Sequence, residues 1–284
     1  MLRRKSGSSI IGAVLAWIVL LVYLVWTVFP FAWMLSTSLK SREIIFKPFF
    51  LPFIQFQPTL ENWYNVLIKG EYFPKAFMNS LTIAGFSALI SVTIGLLAGY
   101  GLSRFKFKRW KNRDISVWIL SQRMMPPVAV IIPYFLIMKT LGLLDTPLAL
   151  IIAHSVFNVP LAVWLMMDFF GEIPVELEEA ALVDGCSRRT ILLRITLPLS
   201  LPGLIAVYVL CFIFSWNELL FALTLTYNKA YTLPVLIAGT LAFQQMEWWN
   251  LAVYTTLTII PPVTLALAFE RYLVRGLTWG AVKL

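Results

Sequence analysis

Long apolar runs separated by short polar connections dominate this chain. The runs cover residues 10–35, 77–102, 115–141, 148–170, 201–225 and 252–269. Each is near or above the roughly 20 residues with which a helix crosses a hydrocarbon core about 30 Å thick. Backbone groups at that depth find no water to bond, so helices are the expected form of all six. The pattern predicts an all-α, polytopic membrane protein of six transmembrane helices in a single transmembrane domain. Arg3, Arg4 and Lys5 precede the first run, which is too long for a signal-peptide core and reads as a retained span. Counting six crossings, fifteen of the 23 Lys and Arg residues fall on the side of the N-terminus, seven on the other side and Arg123 within a span. Basic connections stay inside, so both termini are expected in the cytoplasm of a multi-pass protein of the cell (inner) membrane.

Several runs carry interruptions. Gly95 and Gly99 have the small-residue spacing that lets helices pack closely in lipid. The third run contains Arg123, the break Met125-Pro126-Pro127 and Pro133; prolines there free carbonyls and kink the helix. Arg123 is about 12 Å from the inner end at a rise of roughly 1.5 Å per residue, near enough for its head to reach the interface. In the loop 36–75, Pro48 and Pro52 break the apolar stretch 44–56, which is expected along the membrane surface, and Thr59 is placed to cap a helix over 60–68.

The connection 172–198 differs from the others. Five of the fourteen acidic residues (Glu172, Glu176, Glu178, Glu179, Asp184) lie in its first half, and Arg188, Arg189 and Arg194 in its second. Pro174 starts a helix, Leu177, Ala180 and Ala181 suggest a narrow face of small residues, and Asp184-Gly185 ends it. Ser187 caps a second helix through Ile191 and Ile195, which Pro198 is expected to close. Such a bent knob, with alanines that admit a close backbone and carboxylates that accept from Arg or Lys, is suited to a socket on another protein.

The residues Glu179-Ala180-Ala181, Gly185, Ile195 and Leu197-Pro198, with their spacing, resemble the EAA loop of the membrane subunits of ATP-binding-cassette (ABC) importers. Met124 to Pro147, Pro58 to Trp63, Ser215 to Glu218 and the tail 273–283 resemble the carbohydrate, MalG-type branch. That resemblance implies a type I importer permease (MetI-like) fold and a sugar or polyol as the solute. It assigns coupling to the ATPase subunits to Glu179, Ala180, Ala181, Asp184, Gly185, Ile195, Leu197 and Pro198. It implies a second, homologous permease subunit, two ABC ATPase subunits carrying ATP and magnesium, and an extracytoplasmic sugar-binding protein. The outer loop 227–250, with Tyr231, Thr232, Gln244, Gln245 and Trp248, would face the binding protein, and the cytoplasmic tail 270–284 the ATPases.

Composition agrees with the membrane reading: 60% hydrophobic and 13% charged residues, with a mean hydropathy of +0.81. The net charge of +9 then reflects topology. The basic run 104–109 adjoins a span and reads as a headgroup anchor in the lipid bilayer, not a nucleic-acid site. Two cysteines in different settings suggest no disulfide framework, and the sequence has no Cys/His metal spacing and no phosphate-binding glycine loop. No cofactor is expected on the chain itself, and energy must come from a partner.

Polar groups inside spans are costly against lipid and normally face a cavity. His154, Asn158, Asn217 and Glu218 fall about 9–15 Å from the outer ends of their spans at roughly 1.5 Å per residue, and Trp216 is adjacent. These five are the candidate substrate path, the alternative being polar contacts that only fix packing. Other readings are a permease for a non-sugar solute, an ion-coupled transporter, which should show related halves, or a membrane enzyme using Asp168, His154 and Glu218.

Overall fold

The computed structural model describes residues 8–242 and 247–272. Arg3, Arg4, Lys5, Gln244, Gln245 and the tail 273–284 lie outside the described residues. In chain order the helices are α1 (Ser8–Ser38), α2 (Glu61–Tyr64), α3 (Tyr72–Arg104), α4 (Asn112–Ser121), α5 (Pro127–Thr140), α6 (Pro147–Glu172), α7 (Val175–Val183), α8 (Arg188–Ile191), α9 (Leu197–Trp216), α10 (Leu220–Leu225), α11 (Leu233–Ala242) and α12 (Trp248–Ala268). Among the described residues the only β pairing is an isolated bridge between Pro52 and Phe56.

Among the described residues, five stretches are long and apolar enough to cross a membrane: Gly12–Ser38, Tyr72–Arg104, Pro147–Glu172, Arg188–Trp216 and Trp248–Ala268. A sixth is made if Asn112–Met124 and Pro127–Thr140, bent by 87°, count as one span. The bend falls at Met125-Pro126, where proline excludes helical geometry from the residue before it.

Two expectations change here. The helix after Ser187 does not close at Pro198. A π-helical turn, Leu192–Thr196, carries it into α9, and Pro198 sits in the first turn of α9, where a missing N–H is tolerated. The run 201–225 is also not one helix, because α9 ends at Trp216 and α10 begins at Leu220. The loop 227–250 contains α11, whose first turn has the Leu236 N–H on the Thr232 carbonyl at 2.9 Å. Thr232 followed by Leu233-Pro234 is the sequence signal for that start.

The described residues divide into two compact units, one within 1–73 and 240–259, the other within 74–239 and 260–284. In the first, the loop after α1 folds back onto the end of that helix. Asn62 Nδ2 donates to the carbonyls of Ser38 (3.2 Å) and Lys40 (2.7 Å), and the Thr59 N–H to that of Leu39 (2.8 Å). Lys40 is 1% exposed, with its ammonium 5.1 Å from the Trp33 ring, 6.0 Å from Phe56 and bonded to the Lys47 carbonyl. Aromatic faces and a carbonyl replace its water shell. Thr59 Oγ1 accepts from the Glu61 N–H, and the helix it opens continues as a π turn, Asn65–Lys69.

In the second unit the glycines set the helix packing. A Cβ on Gly95 would lie 2.6 Å from Ala162 Cβ and one on Gly99 2.9 Å from Met166 Cβ, so α3 meets α6 backbone to backbone. Ile83, Met138, Leu150, Phe221 and Leu225 form an apolar core nearby. Asp145, at φ 59°, turns its carboxylate into the loop 227–230 and accepts the N–H groups of Tyr227, Asn228, Lys229 and Ala230. Burial alone would push this carboxyl up, but those donors hold it below the ordinary aspartate range.

Gly95→Ala should destabilise the protein by about 1–3 kcal/mol, because the clash is with backbone that cannot step aside. The midpoint of thermal unfolding in detergent reads this, and an unchanged midpoint would contradict the close approach. Because the folded pKa of Asp145 is depressed, its stabilisation is complete at neutral pH and is lost as pH falls through that folded value. Asp145→Asn should therefore speed amide exchange at 227–230 at pH 7, whereas exchange unchanged there would show that the loop holds itself.

Candidate functional site

The knob is built around one buried carboxylate. Glu178 is 1% exposed and takes hydrogen bonds from Arg104 Nε (2.8 Å), Thr196 Oγ1 (2.9 Å) and the Tyr100 hydroxyl (3.0 Å). Arg104 also donates to the Ile173 carbonyl at 2.9 Å, so the end of α3, the start of α7 and the π turn before α9 meet at one ion pair. Burial opposes the charge on Glu178, but the donors, Arg104 foremost, hold its carboxyl below the usual glutamate value. At the far end of α7 the Cys186 N–H bonds the Ala181 carbonyl and the Gly185 N–H that of Leu182, with Gly185 at φ +81°. This is a Schellman closure, which needs the left-handed residue that glycine supplies without strain. Ser187 Oγ accepts from the Thr190 N–H and caps α8.

These contacts correct one detail of the expected knob, the face predicted to be shared by Leu177, Ala180 and Ala181. Ala181 turns inward with Glu178, at the i, i+3 spacing of one helix face, while Leu177 and Ala180 are exposed. Within this chain the carboxylate held by an arginine is Glu178, through Arg104. Glu179, Asp184, Gly185 and Pro198 are exposed, and Ile195 and Leu197 half-buried. The outer face of α7, with Val175, Leu177 and Val183, stays open and partly apolar. Sequence reasoning missed Tyr100, Arg104 and Thr196; Arg104 ends a span and was masked by the basic residues after it.

A second constellation lies where the α4–α5 corner, the middle of α6 and the α9–α10 break meet. His154 (3% exposed) has Nδ1 2.6 Å from Ser215 Oγ and Nε2 3.1 Å from Glu218 Oε2. Ser87 Oγ donates to Ser215 Oγ at 2.8 Å. The Ser215 hydroxyl and the Glu218 carboxylate thus hold the imidazole at both of its ring nitrogens. Glu218 also accepts the Phe221 and Ala222 N–H groups and so closes the first turn of α10. Asn158 Nδ2 donates to the Cys211 carbonyl at 3.1 Å. His154, Asn158 and Glu218 line one cavity of about 220 Å³, with Arg123, Ser215, Phe157 and Phe214.

Trp216 and Asn217 do not join them. Trp216 is 1% exposed, edge-on to Phe77 and stacked on Phe212 at 5.5 Å. Asn217 caps α9 by donating to the Ile213 carbonyl at 2.9 Å. Helical rotation aims both away from the Ser215 direction, and phenylalanines take the place expected of the tryptophan. Asp168 is exposed and about 21 Å from His154 along α6, so the enzyme constellation is not assembled. Of the outer-loop candidates, Thr232 is 3% exposed and unavailable as a contact surface. Tyr231 is half-buried beneath the Lys75 ammonium, 5.5 Å from its ring. Trp248 is 41% exposed, edge-on to Phe46.

These features, a helical bundle with apolar spans, a moored polar knob and a polar cavity at two helix breaks, define a membrane transport component. Residues 91–279 match the family described as binding-protein-dependent transport system inner membrane component, and the chain belongs to it. It is similar to the trehalose/maltose transport system permease protein MalG of Thermococcus litoralis, 36% identical over 98% of this chain and 97% of that one. It is likewise similar to the trehalose transport system permease protein SugB of Mycobacterium tuberculosis, 36% identical over 89% and 92%. In fold it matches a chain of a bacterial ABC transporter that imports the acidic polysaccharide alginate, with a TM-score of 0.77 at 23% identity over 95% of this chain and 99% of that one. A chain of the MetNI methionine ABC transporter aligns at 0.58 and 18% identity, over 72% and 95%. The protein is thus a membrane component of a transport system, not an enzyme.

Arg104→Leu should cost about 3–5 kcal/mol, because it strands a buried carboxylate, whereas the double change Arg104→Leu with Glu178→Leu should recover part of that loss. Unfolding midpoints and proteolysis between 184 and 190 measure both. A double variant no better than the single one would show that the two charges are not coupled.

Proposed function

We propose that this chain is one of two permease subunits of an ATP-driven importer of sugars or related polyols, forming half of the translocation path. The sugar-named relatives that match it over nearly their full length carry this reading, and the hydrogen-bonding cavity with aromatic walls supports it. The other half of the path is a homologous permease. ATP and magnesium sit on two ABC ATPase subunits, and an extracytoplasmic sugar-binding protein delivers the solute. The chain is a six-span subunit with both termini in the cytoplasm, and the loop 172–198 couples the spans to the ATPases. In that coupling the inner face of α7 is fastened by Glu178, and the open face with Glu179, Ala180 and Asp184 enters the ATPase socket. The tail 270–284 reaches the ATPases, and the outer surface with Tyr231 and Trp248 meets the binding protein.

The test is uptake of radiolabelled trehalose and maltose into proteoliposomes holding the complete complex. Uptake should require both ATP inside and binding protein outside, and uptake without either would overturn the reading. Gly185→Val forces a β-branched residue to φ +81°, a strain of about 1–2 kcal/mol or more at the knob corner. Transport and sugar-stimulated ATP hydrolysis should collapse while the protein still reaches the membrane. Intact stimulated hydrolysis in this variant would remove the coupling role from the loop.

A further inference from the structure

Arg123 is the residue of the cavity whose hydrogen-bond donors the fold uses least. Its Nη1 donates to the Phe157 carbonyl at 3.2 Å, and the guanidinium lies 4.5 Å over the Phe214 ring. A guanidinium has five N–H donors in a fixed fork, and the arginine–carboxylate pair among the described residues is Arg104 with Glu178. Arg123 therefore faces the cavity with donors to spare and, among the described residues, no carboxylate in pairing range. Across the same space Asn158 has committed its amide nitrogen to Cys211, which leaves Oδ1 as an acceptor. The remaining wall is aromatic, supplied by Phe157 and Phe214.

Resting on the importer reading above, we propose that this cavity is a transit subsite for a single neutral sugar ring, and that Arg123 is its principal binding residue. Adjacent hydroxyl oxygens accept from the Arg123 fork, a hydroxyl donates to Asn158 Oδ1, and an apolar ring face lies against the Phe157 side of the aromatic wall. Glu218 lines the same cavity, so its charge offsets that of Arg123 and a ring bearing its own carboxylate would meet that anion. The volume of about 220 Å³ is below the roughly 300–1,000 Å³ of pockets that enclose a whole drug-sized ligand. It accepts a chain of sugars one ring at a time. A site that holds one ring weakly also releases it, as a path requires.

The test modifies Arg123 with phenylglyoxal in the complete complex in proteoliposomes and follows that residue by mass spectrometry. Maltose at about 100 mM, against a dissociation constant on the order of 10 mM, should slow the modification about tenfold. Glucuronate at the same concentration should slow it less, and Arg188 should react at one rate throughout. Asn158→Leu should abolish the protection, and Arg123→Lys should raise the KM for uptake about tenfold with little change in kcat. An unchanged Arg123 rate with maltose, or protection by glucuronate and not by maltose, overturns the subsite. Binding-protein-dependent uptake without protection would remove the subsite alone, whereas protection without such uptake would remove the importer reading alone.

Discussion

A carboxylate without water must find its donors in the protein, and the second unit of this structure is arranged around two that do. Glu178 draws α3, α7 and the π turn before α9 together through Arg104, Tyr100 and Thr196. Asp145 does the same for the loop between α5 and α6 and the loop after α10, through four backbone donors. Either charge left unpaired would cost several kcal/mol, so their segments are held as firmly as the helices they join. The helices between need only close packing, which the glycines of α3 allow.

The same accounting explains why irregular backbone collects where it does. Each break in a span frees carbonyls and N–H groups that lipid cannot bond. At the α9–α10 break Glu218 takes two N–H groups, and from the α4–α5 corner Arg123 reaches the Phe157 carbonyl of α6. Polar side chains brought in to satisfy broken helices then line a cavity, so the lining of the cavity and the repair of the fold are partly the same residues. Glu218 belongs chiefly to the repair, and Arg123 keeps most of its donors.

The knob divides its labour between faces of one short helix. Its inner face is anchored through Glu178 and Ala181, and its outer face keeps Leu177, Glu179, Ala180 and Val183 open. The proposed coupling role needs both, because a loose knob would absorb the push of a partner and a fully buried one could not receive it. The Schellman closure at Gly185 joins α7 to α8 without side-chain bulk, and the continuous helix from Arg188 to Trp216 carries the knob directly into a span.

Much of this was legible in the sequence because lipid solvation imposes a strict rule on composition. Apolar length located the long helices Gly12–Ser38, Tyr72–Arg104, Pro147–Glu172 and Trp248–Ala268, proline placed the α4–α5 bend, and Asp184-Gly185-Cys186-Ser187 marked one helix end and the next start. The family could be read from the knob, since its spacing is local. The sequence could not say where α9 stops, because Pro198 is harmless once a π turn precedes it, and Asn217 and Glu218 end the helix through bonds to other turns. Nor could depth along a span reveal facing: residues at one level can point in opposite directions, so Trp216 and Asn217 left the cavity and Arg123 entered it. Which of two adjacent glutamates is buried was likewise a tertiary decision, made by the arginine that ends a span 74 residues earlier.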